Sequence, residues 1–129
     1  MARGSAHIGK DSYTTRIEVS GHALVGDEPA RNGGQDAGPA PYDYLLAGLG
    51  ACTAITLRMY ADRKQWPVDG IDITLHLSHG DDGAMLIRRT LAISGAVDAA
   101  QKARMAEIAE KTPVTLTLKA GLQIDTSLA

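Results

Sequence analysis

The feature that most restricts the fold is the stretch from Pro41 to Pro67. Between Tyr44 and Leu57 it contains no charged residue. Pro41 sits where a first helical turn tolerates a missing N–H, Asp43 places negative charge at the N-terminal end, and Trp66-Pro67 stops the segment. A helix is therefore expected from Pro41 to about Lys64. Leu45, Leu49, Cys52, Thr56 and Met59 recur at spacings of three and four, and Leu46, Ile55 and Leu57 widen the apolar surface until little polar face remains before Arg58. Such a helix is expected to be buried nearly all round. Gly48 and Gly50 each cost roughly 1 kcal/mol against alanine inside a helix. Together with Ala47, Ala51 and Ala54 they leave a surface of small residues, and close packing against a second helix is the expected compensation. The apolar run itself, flanked by Asp43 and Arg58, is too short to span a bilayer.

Strand periodicity surrounds this helix. Tyr13, Thr15, Ile17 and Val19 alternate with Thr14, Arg16 and Glu18, and Gly21-His22 can turn that strand into a second one at Ala23 to Gly26. From Asp27 to Ala40 the Gly, Pro, Asn and Asp content, with Gly33-Gly34 and Gly38-Pro39, predicts a loop long enough to suggest function. Ile71, Ile73, Leu75 and Leu77 alternate, Gly80-Asp81-Asp82-Gly83 makes a turn, and Met85 to Ser94 resumes with Leu91 and Ile93 in phase, which predicts an antiparallel hairpin. Asp98 can cap a helix running to about Lys111, and Pro113 limits its extension. Leu122, Ile124, Thr126 and Leu128 alternate again as a last strand. The expected order is β-β-α-β-β-α-β, an α+β fold.

A chain of 129 residues is the size of one domain and can bury a real core. No repeat or low-complexity tract divides it, so one domain, 1–129, is expected. Aromatic residues make up 4% and phenylalanine is absent, so the core must come from Leu, Ile, Val, Ala and Met. A formal charge of −2 with scattered basic residues favours neither nucleic acid nor an anionic membrane. The N-terminus lacks the apolar core of a secretory signal. The lone Cys52 cannot close an intrachain disulfide, which makes a reducing cytoplasm the simplest compartment.

Among chemically capable residues, Cys52 is either an inert thiol packed like a small hydrophobe or a nucleophile. His76 and His79 are three apart on a predicted strand and so face opposite ways, and His7 and His22 lie in unrelated segments, so no metal is expected. A Cys-His pair stays open, because such partners meet in space and not in sequence. The Arg88-Arg89 doublet fits a strand's alternation meeting solvent. Gly33-Gly34 is too short for a phosphate loop.

The run from Gly38 to Ala61, centred on Leu49-Gly50-Ala51-Cys52-Thr53-Ala54-Ile55-Thr56-Leu57-Arg58-Met59-Tyr60, resembles the central helix of the OsmC and organic-hydroperoxide-resistance family. The likeness continues through Arg63-Lys64-Gln65-Trp66-Pro67. Upstream it takes in His22-Ala23-Leu24 and Gly33-Gly34. Downstream, Ile108-Ala109-Glu110-Lys111-Thr112-Pro113-Val114 and Leu116-Thr117-Leu118 resemble the family's second segment.

The resemblance implies an intertwined homodimer, with antiparallel sheets wrapped around long central helices and a site at the subunit interface. It implies that Cys52 is a peroxidatic cysteine and that an organic hydroperoxide is the substrate, with no cofactor. The family's second cysteine falls here on Thr112, which implies recycling by an external thiol or loss of turnover. The family's helix-start glutamate falls on Tyr42, and Asp43, one step away, is rotated by about 100°. For the family's arginine the candidate is Arg16, with Lys10 and Arg31 as alternatives, and Arg16 equally fits a solvated residue on an outer strand face. Leu45, Leu49, Ile55 and Met59 would line the substrate pocket. Two functions follow as expectations: a thiol-dependent hydroperoxide reductase, or a non-catalytic dimer of the same fold that binds a small apolar ligand with Cys52 inert.

Overall fold

Alternation in the first part of the chain produces the expected hairpin, and one further strand joins it by backbone pairing alone. The computed structural model describes residues 1–129, which cluster into two units, Met1–Leu45 and Leu46–Ala129. In the first unit β1 (Gly4–His7), β2 (Thr15–Val19) and β3 (His22–Gly26) form one antiparallel sheet in that order. Ser20 and Gly21, at φ 52° and 84°, supply the two left-handed residues that match a tight hairpin turn to strand twist. Ile17 is paired with Ala6 on one side and Leu24 on the other. β1 was not expected: its four residues are all exposed and carry no apolar period, so only backbone pairing to β2 reveals it.

The Gly- and Pro-rich loop that follows is organised by one carboxylate. Asp27 is 3% exposed and accepts the N–H groups of Glu28 at 2.7 Å, Tyr13 at 3.2 Å and Ala37 at 3.2 Å, and the Thr14 hydroxyl at 3.0 Å. The loop contains one 3₁₀ turn at Ala30–Asn32, a feature that the Gly and Pro content did not suggest. Gly34 is required by close approach, since a β-carbon there would run into the Glu28 carbonyl. Burial works to raise the Asp27 carboxyl, but the Glu28 and Ala37 N–H groups, the Thr14 hydroxyl and the Tyr13 N–H outweigh it and hold the pKa below its ordinary 3.8. A depressed carboxylate stabilises the fold above its unfolded pKa and loses that contribution as pH falls through the folded value. The backbone amide shifts of Glu28 and Ala37, followed by NMR from about pH 5 down to about pH 2, are expected to titrate with a midpoint below 3.8. A midpoint at or above that value would contradict the clamp.

The helix α1 (Pro41–Lys64) has the expected bounds, and the second unit adds β4 (Val68–His79), β5 (Met85–Gly95), α2 (Ala99–Ala109) and α3 (Pro113–Ala120). β4 and β5 form the expected hairpin, pairing Ile71 with Ile93 and Ile73 with Leu91. Asp98 begins α2 with a reciprocal cap: its carboxylate accepts the Gln101 N–H and its own N–H donates to Gln101 Oε1, both at 2.8 Å. Leu57, Ala61, Val68, Met105 and Ala109 form the core, with Trp66, Ile71, Ile73, Leu91 and Ile93 packed on it.

Three expectations are corrected. α1 is not buried all round: Leu49, Thr53, Leu57 and Ala61, four residues apart, are buried, while Ile55 and Met59 are 54% and 60% exposed. Within this chain Gly50 faces a strand and no second helix, a β-carbon there meeting Leu75 Cδ1 at 3.0 Å, and Gly48 faces open space. Residues Leu122 to Leu128 form no strand. Alternation gives a segment a face but not a partner, and an unpaired strand leaves its backbone groups unbonded to protein. The observed element order is therefore three strands, α1, two strands, α2 and α3, within the α+β class. By length and composition α1 would suffice to cross a membrane, yet its Leu57 and Ala61 are completely buried in the protein core.

Candidate functional site

Cys52 is a free thiol, partly buried, on the fourth turn-row of α1, with Sγ 3.9 Å from the Thr56 hydroxyl. The residue after it, Thr53, is completely buried and opens the most connected polar cluster of the second unit. Its hydroxyl donates to the Leu49 carbonyl at 2.7 Å and accepts from Arg89 Nη1 at 2.9 Å. The same nitrogen donates to the Thr115 hydroxyl at 2.9 Å, and Nη2 donates to the Ala109 carbonyl at 2.9 Å. Thr115 is bonded to Thr112 at 2.6 Å and donates to the Ala109 carbonyl at 3.3 Å.

The hydroxyl protons can be assigned from these contacts. Thr115 spends its proton on Ala109, so Thr112 donates to Thr115, which also accepts from Arg89. No buried side-chain nitrogen or oxygen is left unpaired, as buried polar groups require. The Arg89 side chain is 11% exposed, and its one acidic neighbour, Glu110, is 3.8 Å away and mostly in solvent. Lys119, at 2.7 Å from Glu110, and secondarily Arg89 hold the Glu110 carboxyl below its ordinary value.

Arg89 was read from sequence as meeting solvent, and the structure overturns this. It shares a strand face with Ile87, Leu91 and Ile93, each two residues on, and its backbone is paired with Leu75. That phase was visible in the sequence. Thr112 is completely buried within the same cluster.

The other candidates are placed differently. Arg16 lies exposed on β2 in the first unit, paired through its backbone with His7 and Val25, and forms no ion pair. Leu45, Ile55 and Met59 are exposed, and Leu49 is buried. Within the first unit an apolar cleft of about 700 Å³ is lined by Ile8, Tyr13, Ile17, Val19, Leu24 and Tyr44, with Asp27 and Glu28 beside them. None of the four expected pocket residues contributes to it. Tyr44 closes one side, its hydroxyl donating to the Val25 carbonyl at 2.6 Å.

Residues 33–127 match the family model described as OsmC-like protein. No curated protein matches the chain. Solved structures do. An OsmC-like protein from Mycoplasma pneumoniae superposes with a TM-score of 0.77 at 19% identity, over 92% of this chain and 87% of that one. The organic hydroperoxide resistance protein OsmC of Legionella pneumophila gives 0.65 at 19% identity, over 92% and 89%. The organic hydroperoxide resistance protein OhrB of Bacillus subtilis gives 0.60 at 22% identity, over 91% and 90%. At these identities the superpositions establish the fold.

Proposed function

Because the chain belongs to the OsmC-like protein family, which it matches over residues 33–127, we propose that it is a thiol-dependent hydroperoxide reductase with Cys52 as its nucleophile. The observation that carries the proposal is a free, partly accessible thiol on the family's helix, in a fold shared with organic hydroperoxide resistance proteins of Legionella pneumophila and Bacillus subtilis. The Cys52 thiolate attacks the hydroxyl-bearing peroxide oxygen; an S–O bond forms, the O–O bond breaks and the alkoxide leaves, taking up the proton that the thiol gave up on ionising, so that a sulfenic acid and an alcohol result. Thr112 cannot condense with that acid, so an external thiol does. It forms a mixed disulfide with loss of water, and a second thiol releases Cys52 and carries away the disulfide.

The same reading assigns a homodimer, built on the exposed apolar row of α1 that carries Gly48, Ala51, Ile55 and Met59, and a reducing, cytoplasmic setting. Arg16 remains the candidate for holding the thiolate, and Leu45, Leu49, Ile55 and Met59 for apolar lining once a partner subunit is in place. A second reading, a non-catalytic dimer binding a small apolar ligand, draws on the cleft of the first unit.

Steady-state consumption of cumene hydroperoxide with dithiothreitol or glutathione as the reductant distinguishes the two. Multiple turnovers per protein, saturating with thiol, are expected of the reductase. Consumption no faster than thiol alone, with sedimentation still showing a dimer, supports the binding reading.

A further inference from the structure

The Arg89 cluster has an energetic peculiarity. Its guanidinium is drawn almost wholly out of water, yet its close partners are three neutral oxygens, and Glu110, at 3.8 Å, is itself engaged by Lys119. A buried charge so partnered gives little stability over an apolar side chain of similar volume, and the neighbours on its strand face, Ile87 and Leu91, are apolar. What the arginine supplies is geometry. Its planar fork joins three elements: α1 at Thr53, the end of α2 at Ala109 and the first turn of α3 at Thr115.

The α1 attachment falls where that helix most needs one. Thr53 reaches back to the Leu49 carbonyl, so the contact from Arg89 fixes the turn Leu49–Thr53, which contains Gly50 and follows Gly48. Glycines leave a helix backbone more freedom than any other residue. Cys52 lies inside that turn, whose backbone sets the direction of its Cα–Cβ bond and which χ1 positions its Sγ can take. We propose that Arg89 is a positioning residue for Cys52, acting through Thr53. This rests on the reading of Cys52 as the reacting thiol. The role differs from that of a thiolate partner, because the Nη groups donate to Thr53, Thr115 and Ala109, with Glu110 as the nearby carboxylate at 3.8 Å.

Three variants test it: Arg89→Met, which keeps the stem without the fork, Arg89→Lys, and Thr53→Val, which removes a single acceptor. Single-turnover oxidation of Cys52 by cumene hydroperoxide is expected to slow by about tenfold or more in Arg89→Met and severalfold in Thr53→Val, the scale at which small misplacements act. Arg89→Lys should recover part of the loss. The midpoint of the pH dependence of Cys52 alkylation by iodoacetamide should not move. Hydrogen exchange should rise over residues 46–57 while the β4–β5 hairpin keeps its protection.

Folded Arg89→Met and Thr53→Val proteins that both oxidise at the wild-type rate would overturn the proposal. So would an alkylation midpoint shifted upward in Arg89→Met, because Arg89 would then act on the thiolate charge. If the wild-type protein is itself inert to peroxide, the reductase reading fails separately. Exchange at 46–57 then decides: unchanged protection in Thr53→Val, the milder variant, overturns the positioning role.

Discussion

Replacing Cys52 with serine is expected to bring hydroperoxide consumption down to the rate of the external thiol alone. The reaction needs a sulfur nucleophile that is partly ionised near neutral pH and can hold the transferred oxygen as a sulfenic acid. A serine hydroxyl meets neither requirement, since it stays protonated and has no corresponding oxidised state. The substitution is nearly isosteric at a partly buried position whose side chain contacts the Thr56 hydroxyl at 3.9 Å, so stability should change by no more than about 0.5 kcal/mol. Loss of turnover with an unchanged unfolding midpoint therefore reports chemistry and not misfolding. Turnover that persists in the serine variant would place the reaction elsewhere.

Truncating Arg89 to alanine is expected to lower the unfolding free energy by about 3 kcal/mol. Three charge-assisted hydrogen bonds disappear, each worth about 1.5–3 kcal/mol before compensation, and the apolar stem of a side chain that is only 11% exposed goes with them. Against this stands the relief of no longer holding a charge away from water, which removes a good part of the sum. What remains is the penalty of leaving the buried Thr53 oxygen with no donor and the Thr115 oxygen and the Ala109 carbonyl with one donor fewer each. Urea unfolding followed by circular dichroism measures the difference directly. A loss below about 1 kcal/mol would mean that the cluster behaves like a surface ion pair and holds nothing in place.

The parts of the fold that could be read from sequence are those whose signals are local. α1 is bounded by Pro41 and Trp66-Pro67, the β4–β5 hairpin shows alternation on both strands around a Gly-Asp turn, and Asp98 announces α2. The exposed strand β1 has only Ala6 as an apolar residue, too little for a period to rest on. α3 was missed because Pro113 was weighed only as a barrier, whereas the structure uses it as the opening residue of a new helix after Thr112, a position where its missing N–H costs nothing. The tail from Leu122 to Leu128 has a strand's pattern but no partner within the chain, and pairing is what sequence alternation cannot supply.

The site divides along the same line. Cys52 is legible because a family motif surrounds it. Arg89 was legible in principle, since it falls in phase with Ile87, Leu91 and Ile93, but an arginine on an apolar face is normally discounted as solvent-facing. Its acceptors lie 36, 26 and 20 residues away, and nothing in local spacing brings Thr53, Ala109 and Thr115 together. Exposure of Ile55 and Met59 was likewise not foreseen from a pattern in which every face of the helix is apolar. Composition shows what a face is made of, and only the packing shows what covers it.

The central claim, that Cys52 is a peroxide-reducing nucleophile, is tested most directly by intact-mass analysis of the reduced protein after brief exposure to near-stoichiometric cumene hydroperoxide in the presence of a sulfenic-acid trap, with Cys52→Ser alongside. A single adduct at Cys52, formed faster than with hydrogen peroxide and absent from the serine variant, is the predicted result. An adduct appearing no faster than on a free thiol would contradict the reductase reading and leave the apolar cleft of the first unit as the feature to explain.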